Sequence, residues 1–175
     1  MVGRESALIV AVPAAERVVG LLRKTLDSSA PLGVPAHITV LYPFMPPDLL
    51  NDDVLSDPAS MFSSVPRFEL SLASVGWFAT EVVYLVPQPE AVFKRLTAMV
   101  SGRWPGFPPY GGLHPDPTPH LTVGDSEDYE SMVEAAAEVE PLLPVETRVS
   151  EIELIAGDAT PGSWTRIAGF DLGDG

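Results

Sequence analysis

Two histidine–threonine pairs are the residues of this 175-residue chain whose types and spacing could do chemistry. They lie in the tetrapeptides HITV and HLTV, which place a threonine two positions after His37 and after His120. In a β-strand, side chains at positions i and i+2 lie on the same face, about 6–7 Å apart along it. His37 would then share one face with Thr39, and His120 with Thr122, while the apolar residues between them point into a core.

Two such pairs around one cleft would suit in-line phosphoryl transfer. Because the unperturbed pKa of histidine is near 6.5, a neutral ring can take a proton from water while a protonated ring gives one to a leaving oxygen. Threonine hydroxyls could donate to the phosphate oxygens and stabilise the charge of the transition state. The pattern therefore predicts His37, Thr39, His120 and Thr122 as catalytic residues. The alternative is that the histidines are structural and that the threonines are ordinary strand formers.

The composition leaves few ligands for a transition metal, since the chain has three histidines and no cysteine. We therefore expect neither a metal nor a cofactor. A zinc site built from His37, His114, His120 and Asp116 stays an alternative, although the spacing matches no zinc template. His114 lies in a Gly/Pro-rich loop without the motif, and we interpret it as a loop residue near the rim of the cleft.

The elements that would position the two motifs follow the same order twice: strand, helix, loop, and a strand that begins with histidine. The copies cover, in that order, 7–12, 13–26, 28–35 and 37–42, and then 82–86, 89–102, 102–119 and 120–123. This order predicts an internal repeat, approximately 7–80 and 82–172, within a single bilobal domain spanning 1–175. The alternative is one α+β sheet whose half-matches are accidental.

The remaining segments carry weaker patterns. We predict a short irregular helix, a long strand, an acidic helix that Ser126 caps, and a closing hairpin of two strands. In order these are 48–62, 68–78, 126–139, and the hairpin strands 147–155 and 163–172. In the first helix the spacing predicts that Val18, Leu21, Leu22, Thr25 and Leu26 are on the inner face. Arg17, Arg23 and Lys24 are predicted on the solvent face.

The paired motifs resemble those of the 2H phosphoesterase superfamily, and within it the 2′-5′ RNA ligase and cyclic phosphodiesterase group. The signature of that superfamily is two H-x-[ST]-apolar tetrapeptides, one in each lobe of a duplicated α+β fold. The resemblance implies a LigT-like fold in which two antiparallel sheets face a central cleft and helices lie outside. It also implies metal-independent hydrolysis of a 2′,3′-cyclic phosphate, on a cyclic nucleotide or a short RNA end, or of a related 2′-5′ phosphodiester. A 2′-5′ RNA ligase and a non-catalytic nucleotide- or RNA-end-binding protein on the same fold are the alternatives.

Four further residues are predicted to contact the substrate. Tyr110 stands before two glycines in a loop, where it could stack on a base. Trp164 and Arg166 are at i and i+2 of the last predicted strand and could hold a base and a phosphate. Tyr42 follows the first motif, but strict alternation directs it toward the core unless the strand bends at Pro43. The alternatives are a plain connecting loop at Tyr110 and a surface cation–π pair between Trp164 and Arg166.

The charge narrows the range of partners. The net charge of −14, from 24 acidic and 10 basic residues, disfavours a long DNA or RNA backbone. We expect instead a small nucleotide, or a short RNA 3′ end with a cyclic phosphate, bound by a monomer. The chain has no run of 18 apolar residues, so no membrane partner is expected. Residues 7–15 are interpreted as a buried strand rather than a signal peptide, and the absence of cysteine fits a cytoplasmic protein.

Overall fold

The computed structural model describes residues 3–174, in which eight strands and four α-helices surround one main core. The strands are β1 (Glu5–Ala11), β2 (His37–Leu41), β3 (Phe68–Phe78), β4 (Val82–Gln88), β5 (Leu121–Asp125), β6 (Val145–Val149), β7 (Glu151–Gly157) and β8 (Thr165–Asp171). The helices are α1 (Glu16–Leu26), α2 (Asp52–Ser63), α3 (Glu90–Arg103) and α4 (Tyr129–Val139). None of the helices within the described residues combines the length and the apolar character needed to cross a membrane.

The strands form two four-stranded sheets, and every strand pair in them is antiparallel. The first sheet has the order β2-β1-β7-β8 and the second the order β5-β4-β3-β6. In each sheet the strand that carries or follows a motif histidine lies at the edge, paired with the strand that precedes it in the chain. The predicted α+β fold with two antiparallel sheets is therefore confirmed.

The helices tie the two sheets together. Helix α1, which connects β1 to β2, packs against β5 of the second sheet, and α3, which connects β4 to β5, packs against β2 of the first. The apolar residues of both motifs point into the core between them: Ile38, Val40, Leu121 and Val123 are all buried. Because each helix covers the motif strand of the other sheet, the two motif strands are held side by side.

The predicted hairpin strand 147–155 is wrong as a single element. The chain changes sheets at Ser150, so that β6 pairs with β3 in the second sheet and β7 pairs with β1 and β8 in the first. Val145 and Val149 of β6 and Ile152 and Leu154 of β7 all lie in the main core, and the core positions change from odd to even numbers at the crossing. Periodicity reports the buried positions and not the pairing partner, so it does not show that the chain changes sheets.

The predicted cap of the acidic helix is also wrong. Helix α4 begins at Tyr129, and the Asp128 carboxylate accepts a hydrogen bond from the backbone N–H of Ser131 at 3.2 Å. Ser126 lies two residues earlier, and its hydroxyl accepts a hydrogen bond from the backbone N–H of Asp128. Aspartate and serine are comparable caps, and the spacing alone did not separate them.

Helix α1 departs from its predicted orientation at three positions, one of which is Thr25, predicted on the inner face but exposed. Arg23, predicted on the solvent face, is only 3% exposed, whereas Leu21, predicted on the inner face, is 79% exposed. The buried guanidinium is tolerated because it forms an ion pair with Asp27 at 2.9 Å. Hydropathy ranks arginine as a surface residue and cannot anticipate a partner that buries it.

Candidate active site

Each motif ends in a β-bulge at its valine. Val40 is the extra residue of β2, because Thr39 and Leu41 on either side of it pair with consecutive residues of β1. Val123 is the extra residue of β5 in the same way, opposite two consecutive residues of β4. A bulge changes which face the following side chains occupy. The two motifs thus share a local backbone irregularity as well as a sequence.

The bulge at Val40 decides where Tyr42 lies. Strict alternation directs Tyr42 toward the core, but Leu41 is buried instead and Tyr42 is half-buried at the wall of a cavity. The hydroxyl of Tyr42 donates a hydrogen bond to the Glu5 carboxylate at 2.7 Å. Burial, together with this negatively charged partner, raises the pKa of Tyr42 to about 12. Tyr42 is therefore protonated at neutral pH, and the core placement expected from alternation is corrected.

Both motif histidines are oriented by the same backbone contact. His37 Nδ1 lies 2.7 Å from the carbonyl oxygen of Pro35, and His120 Nδ1 lies 2.8 Å from that of Thr118. A carbonyl oxygen can only accept, so Nδ1 carries the hydrogen in both rings. The nitrogen left for chemistry is Nε2, which is unprotonated in the neutral ring. Each half of the chain thus presents an imidazole with a fixed tautomer.

The surroundings favour the neutral form of both rings. Burial lowers the pKa of His37 to about 4, with Arg23 and His120 also lowering it, while the Pro35 carbonyl and Asp27 oppose the shift. Burial also lowers the pKa of His120, against an opposing effect of the Thr118 carbonyl. Burial is thus the main reason that both rings favour the neutral form.

A cavity of about 280 Å³ adjoins His37 in the first sheet. His37, Thr39, Tyr42 and Trp164 line it, together with aliphatic side chains and two serines. The indole N–H of Trp164 donates to the carbonyl oxygen of Asp158 at 3.1 Å, which fixes the ring at the cavity wall. Such a cavity suits a flat, largely apolar group beside the imidazole.

A second, smaller cavity joins the first sheet to His120. Thr39 and Tyr42 line both cavities, and Tyr110 and His120 line the second. The backbone N–H of Tyr110 donates to the carbonyl oxygen of Tyr42 at 2.6 Å, which holds the loop before β5 over this site. Burial raises the pKa of Tyr110, while the nearby Thr39 hydroxyl opposes that shift.

Two predicted residues lie outside these cavities. Thr122 is half-buried on β5, two residues after His120 and opposite Tyr84, but it lines neither cavity. Arg166 makes a two-pronged ion pair with Glu151, both contacts being 2.8 Å, and also contacts Glu153 at 3.2 Å. Trp164 precedes β8, so the shared face predicted for Trp164 and Arg166 is not formed within a strand.

The environment of His120 contains aromatic residues that the motif analysis did not single out. Phe78 and Tyr84 stack with their ring centroids 4.3 Å apart, and these centroids lie 4.9 and 5.6 Å from that of the His120 ring, in edge-to-face geometry. Gly76 makes room for this arrangement, since a Cβ there would lie 2.5 Å from the Tyr84 ring. An aromatic pair opposite a strand glycine is the sequence signal that would have found it.

The third histidine stands apart from the two motifs. His114 is exposed, and its ring contacts that of Tyr110 at a centroid distance of 5.5 Å. Within residues 3–174, no three histidine, aspartate or glutamate side chains come together as a group that could hold a metal ion.

Comparison with known families identifies the fold. The family model of the 2′-5′ RNA ligase superfamily matches residues 11–161, a range that includes both motifs. The chain belongs to the 2′-5′ RNA ligase superfamily. No curated protein sequence matches it.

Solved structures similar to this superfamily member cover nearly its whole length. The protein TT0787 of Thermus thermophilus has a TM-score of 0.63 and 22% identity, over 98% of this chain and 100% of that one. LigT of E. coli in the apo form has a TM-score of 0.59 and 20% identity, over 99% of both chains. A protein described as a phosphoesterase has a TM-score of 0.60 and 19% identity, over 98% of this chain and 99% of that one. At these identities the likeness shows a shared fold.

Proposed function

We propose that this chain is a metal-independent phosphoesterase that opens the 2′,3′-cyclic phosphate of a cyclic nucleotide or of a short RNA end. The observation that carries the proposal is the matched pair of histidines. Each has its Nδ1–H on a backbone carbonyl, which leaves Nε2 for chemistry, and Thr39 and Tyr42 line both the cavity beside His37 and the cavity beside His120. Two such rings at adjoining cavities are suited to general acid–base catalysis.

The reaction would proceed in one in-line displacement. A neutral imidazole takes a proton from water at Nε2, and the water oxygen forms a bond to phosphorus. The bond from phosphorus to the 3′ or 2′ oxygen breaks on the opposite side, and that oxygen takes a proton from Nε2 of the other, protonated ring. The first ring ends protonated and the second neutral, so one proton must return through solvent before the next turnover. A 2′-phosphate product follows if the 3′ oxygen leaves, as the related cyclic phosphodiesterases lead us to expect.

The hydroxyl groups would hold the non-bridging oxygens. Thr39 lines both cavities, and Tyr110 lines the second one beside it. Both groups can donate to a phosphate in this position and stabilise the charge of the transition state. Thr122 would act from the second sheet beside His120. Trp164 would pack against the base in the cavity beside His37.

The charge around the cavities favours a small substrate. Among the described residues, those lining the two cavities include no lysine or arginine, and the net charge of the chain is −14. A long polyphosphate backbone would therefore find few counter-charges. Structures of E. coli LigT have been solved with 3′-AMP, ATP and NADP+, which supports a nucleotide as the ligand class.

The test is turnover of 2′,3′-cyclic nucleotides and of RNA ends with a cyclic phosphate, with products identified by phosphorus NMR. We expect His37→Ala and His120→Ala each to lower kcat about 10²- to 10⁴-fold. His114→Ala, which changes the exposed third histidine, is the matched control and should keep wild-type turnover. Activity should survive extensive chelation, and loss of activity with EDTA would support the zinc alternative. Unchanged turnover in both motif variants would contradict the proposal.

The same experiment separates the alternatives. Joining of a cyclic-phosphate RNA end to a 5′-hydroxyl RNA, without hydrolysis, would identify a 2′-5′ RNA ligase. Saturable nucleotide binding without any turnover would identify a binding protein.

We also infer that the two halves arose from one repeated unit within a single bilobal domain. The support is local: each half has a bulge at the motif valine, and each has a histidine Nδ1 on the carbonyl two residues before it.

A further inference from the structure

A charged pair is buried at the C-terminal end of α1, outside both cavities: Arg23 lies in the last turn and Asp27 directly follows the helix. The side chains of Arg23 and Asp27 are only 3% and 6% exposed, and Arg23 Nε donates to the Asp27 carboxylate at 2.9 Å. Buried charges are rare and costly unless they are paired and hydrogen-bonded. Apolar residues of similar size would fill the same space without that cost, so the pair needs a reason other than stability.

The pair holds the segment that leads into the first motif. Arg23 Nη2 donates to the carbonyl oxygen of Val34 at 3.1 Å and to the hydroxyl of Ser29 at 3.3 Å. The Asp27 carboxylate accepts from the backbone N–H of Ser29 at 2.9 Å and from its hydroxyl at 2.8 Å. Both charged side chains therefore form hydrogen bonds with the loop between α1 and β2.

A third α1 side chain fixes the other end of this segment. The carboxylate of Glu16 accepts the backbone N–H of Ala36 at 2.7 Å. Pro35 lies between Val34 and Ala36, both of which are held by α1, and its carbonyl oxygen is the acceptor for His37 Nδ1. The position of that carbonyl is therefore set by charged groups on the helix.

Among the described residues, no charged side chain donates or accepts a hydrogen bond to the backbone of the segment before His120 in the same way. The segment before His120 is reached by Lys94 of α3, which lies 3.8 Å from Asp116, and both of these side chains are well exposed. An exposed pair at that distance contributes little rigidity. The two imidazoles thus make the same backbone contact, but only the segment before His37 is held by a buried ion pair.

We propose that Arg23 and Asp27 are positioning residues for His37, which act by holding the Pro35 carbonyl where it fixes the Nδ1–H tautomer and the direction of Nε2. The inference rests on the proposed function for its kinetic consequence, but its structural consequence is measurable without turnover. The charged groups that face His37 are Arg23 and Asp27 on α1 and His120 across the cleft.

The test removes both charges together, because a single substitution would leave the partner buried and unpaired. The double variant Arg23→Met/Asp27→Leu should fold, and its kcat should fall about 10- to 100-fold with little change in KM, since a small misplacement of a catalytic group has that effect. Lys24→Met, an exposed position on the same helix, is the matched control and should keep wild-type kcat.

A second readout is the tautomer of His37, measured by long-range proton–nitrogen NMR on histidine-labelled protein. The spectrum should show only Nδ1–H for wild-type His37 at pH 7 and a mixture of tautomers in the double variant, with His120 unchanged. A merely structural role would not move this signal. Wild-type kcat together with an unchanged tautomer in the double variant would overturn the proposal.

The test still decides if the double variant does not fold or if the wild-type protein has no activity. If the double variant does not fold, Glu16→Ala replaces it, because Glu16 is 44% exposed and its removal costs the bond to the Ala36 N–H and only a long, 3.8 Å ion pair with Arg23. Glu16→Ala should lower kcat and loosen the tautomer to a smaller degree, and no change in either would count against the proposal. If the wild-type protein shows no turnover, the proposed function fails, and the NMR result still decides whether the α1 network positions His37.

Discussion

Acidification should destabilise the folded protein through His37. Burial lowers the pKa of His37 from 6.5 to about 4. Protonation of this residue therefore lowers the free energy of unfolding by about 3 kcal/mol in total. The unfolded chain therefore binds a proton more readily than the folded protein at any pH between these values. The contribution of neutral His37 to the free energy of unfolding is fully present above pH 6.5 and is lost as the pH falls toward 4. Between pH 6.5 and 5 the loss amounts to about 2 kcal/mol.

The assay is chemical denaturation of the wild type and of His37→Gln at pH 7, 6.5, 6, 5.5 and 5. Other titrating groups are common to both proteins, so the difference in unfolding free energy isolates His37. The wild type should lose about 2 kcal/mol relative to the variant over this range. A difference that stays constant with pH would show that His37 titrates normally in the folded state, and would refute the reasoning from burial.

Three further predictions concern activity. The profile of kcat/KM against pH should be bell-shaped with its maximum between about pH 4 and 6.5, because burial lowers the pKa of both motif histidines and one of them must carry the proton; a maximum above pH 7, or a flat profile from 5 to 8, would contradict this. Thr39→Val should lose about 1–3 kcal/mol of transition-state stabilisation in kcat/KM, whereas Thr80→Val in the β3–β4 turn should have no effect; equal values for the two variants would remove Thr39 from the mechanism. Gly157→Ala should raise KM for cyclic nucleotides, because a Cβ there would lie 2.5 Å from Trp164 Cγ and displace the indole ring. Gly102→Ala is the control, since a Cβ there meets nothing within 4 Å. A wild-type KM in Gly157→Ala would show that Trp164 does not bind the substrate.

The sequence predicted the parts of the fold that depend on local pattern. Alternation placed Ile38 and Leu121 inward, and the structure buries both. The paired motifs predicted the superfamily, and the resemblance that they carry implied the two antiparallel sheets. These features follow from side-chain periodicity and residue type, which a single chain displays directly.

The remaining features depend on partners distant in sequence. The bulge at Val40, which moves Tyr42 to the cavity, arises from the register with β1, and register is a property of two strands. The burial of Arg23 depends on Asp27 and on the loop carbonyl that it meets. The guanidinium of Arg166, which was predicted to bind substrate, instead forms an ion pair with Glu151 of the neighbouring strand. Local hydropathy does not predict any of these contacts.

The most direct measurement is a crystal structure of the protein with a nucleoside 2′-phosphate or 3′-phosphate bound in the cleft. We predict oxygens of one phosphate group within about 2.6–3.2 Å of Nε2 of both His37 and His120, the range of a hydrogen bond that can transfer a proton. The Thr39 hydroxyl should contact the same group. A phosphate that meets only one of the two rings, or that binds in another part of the molecule, would contradict the shared site on which the proposed chemistry depends.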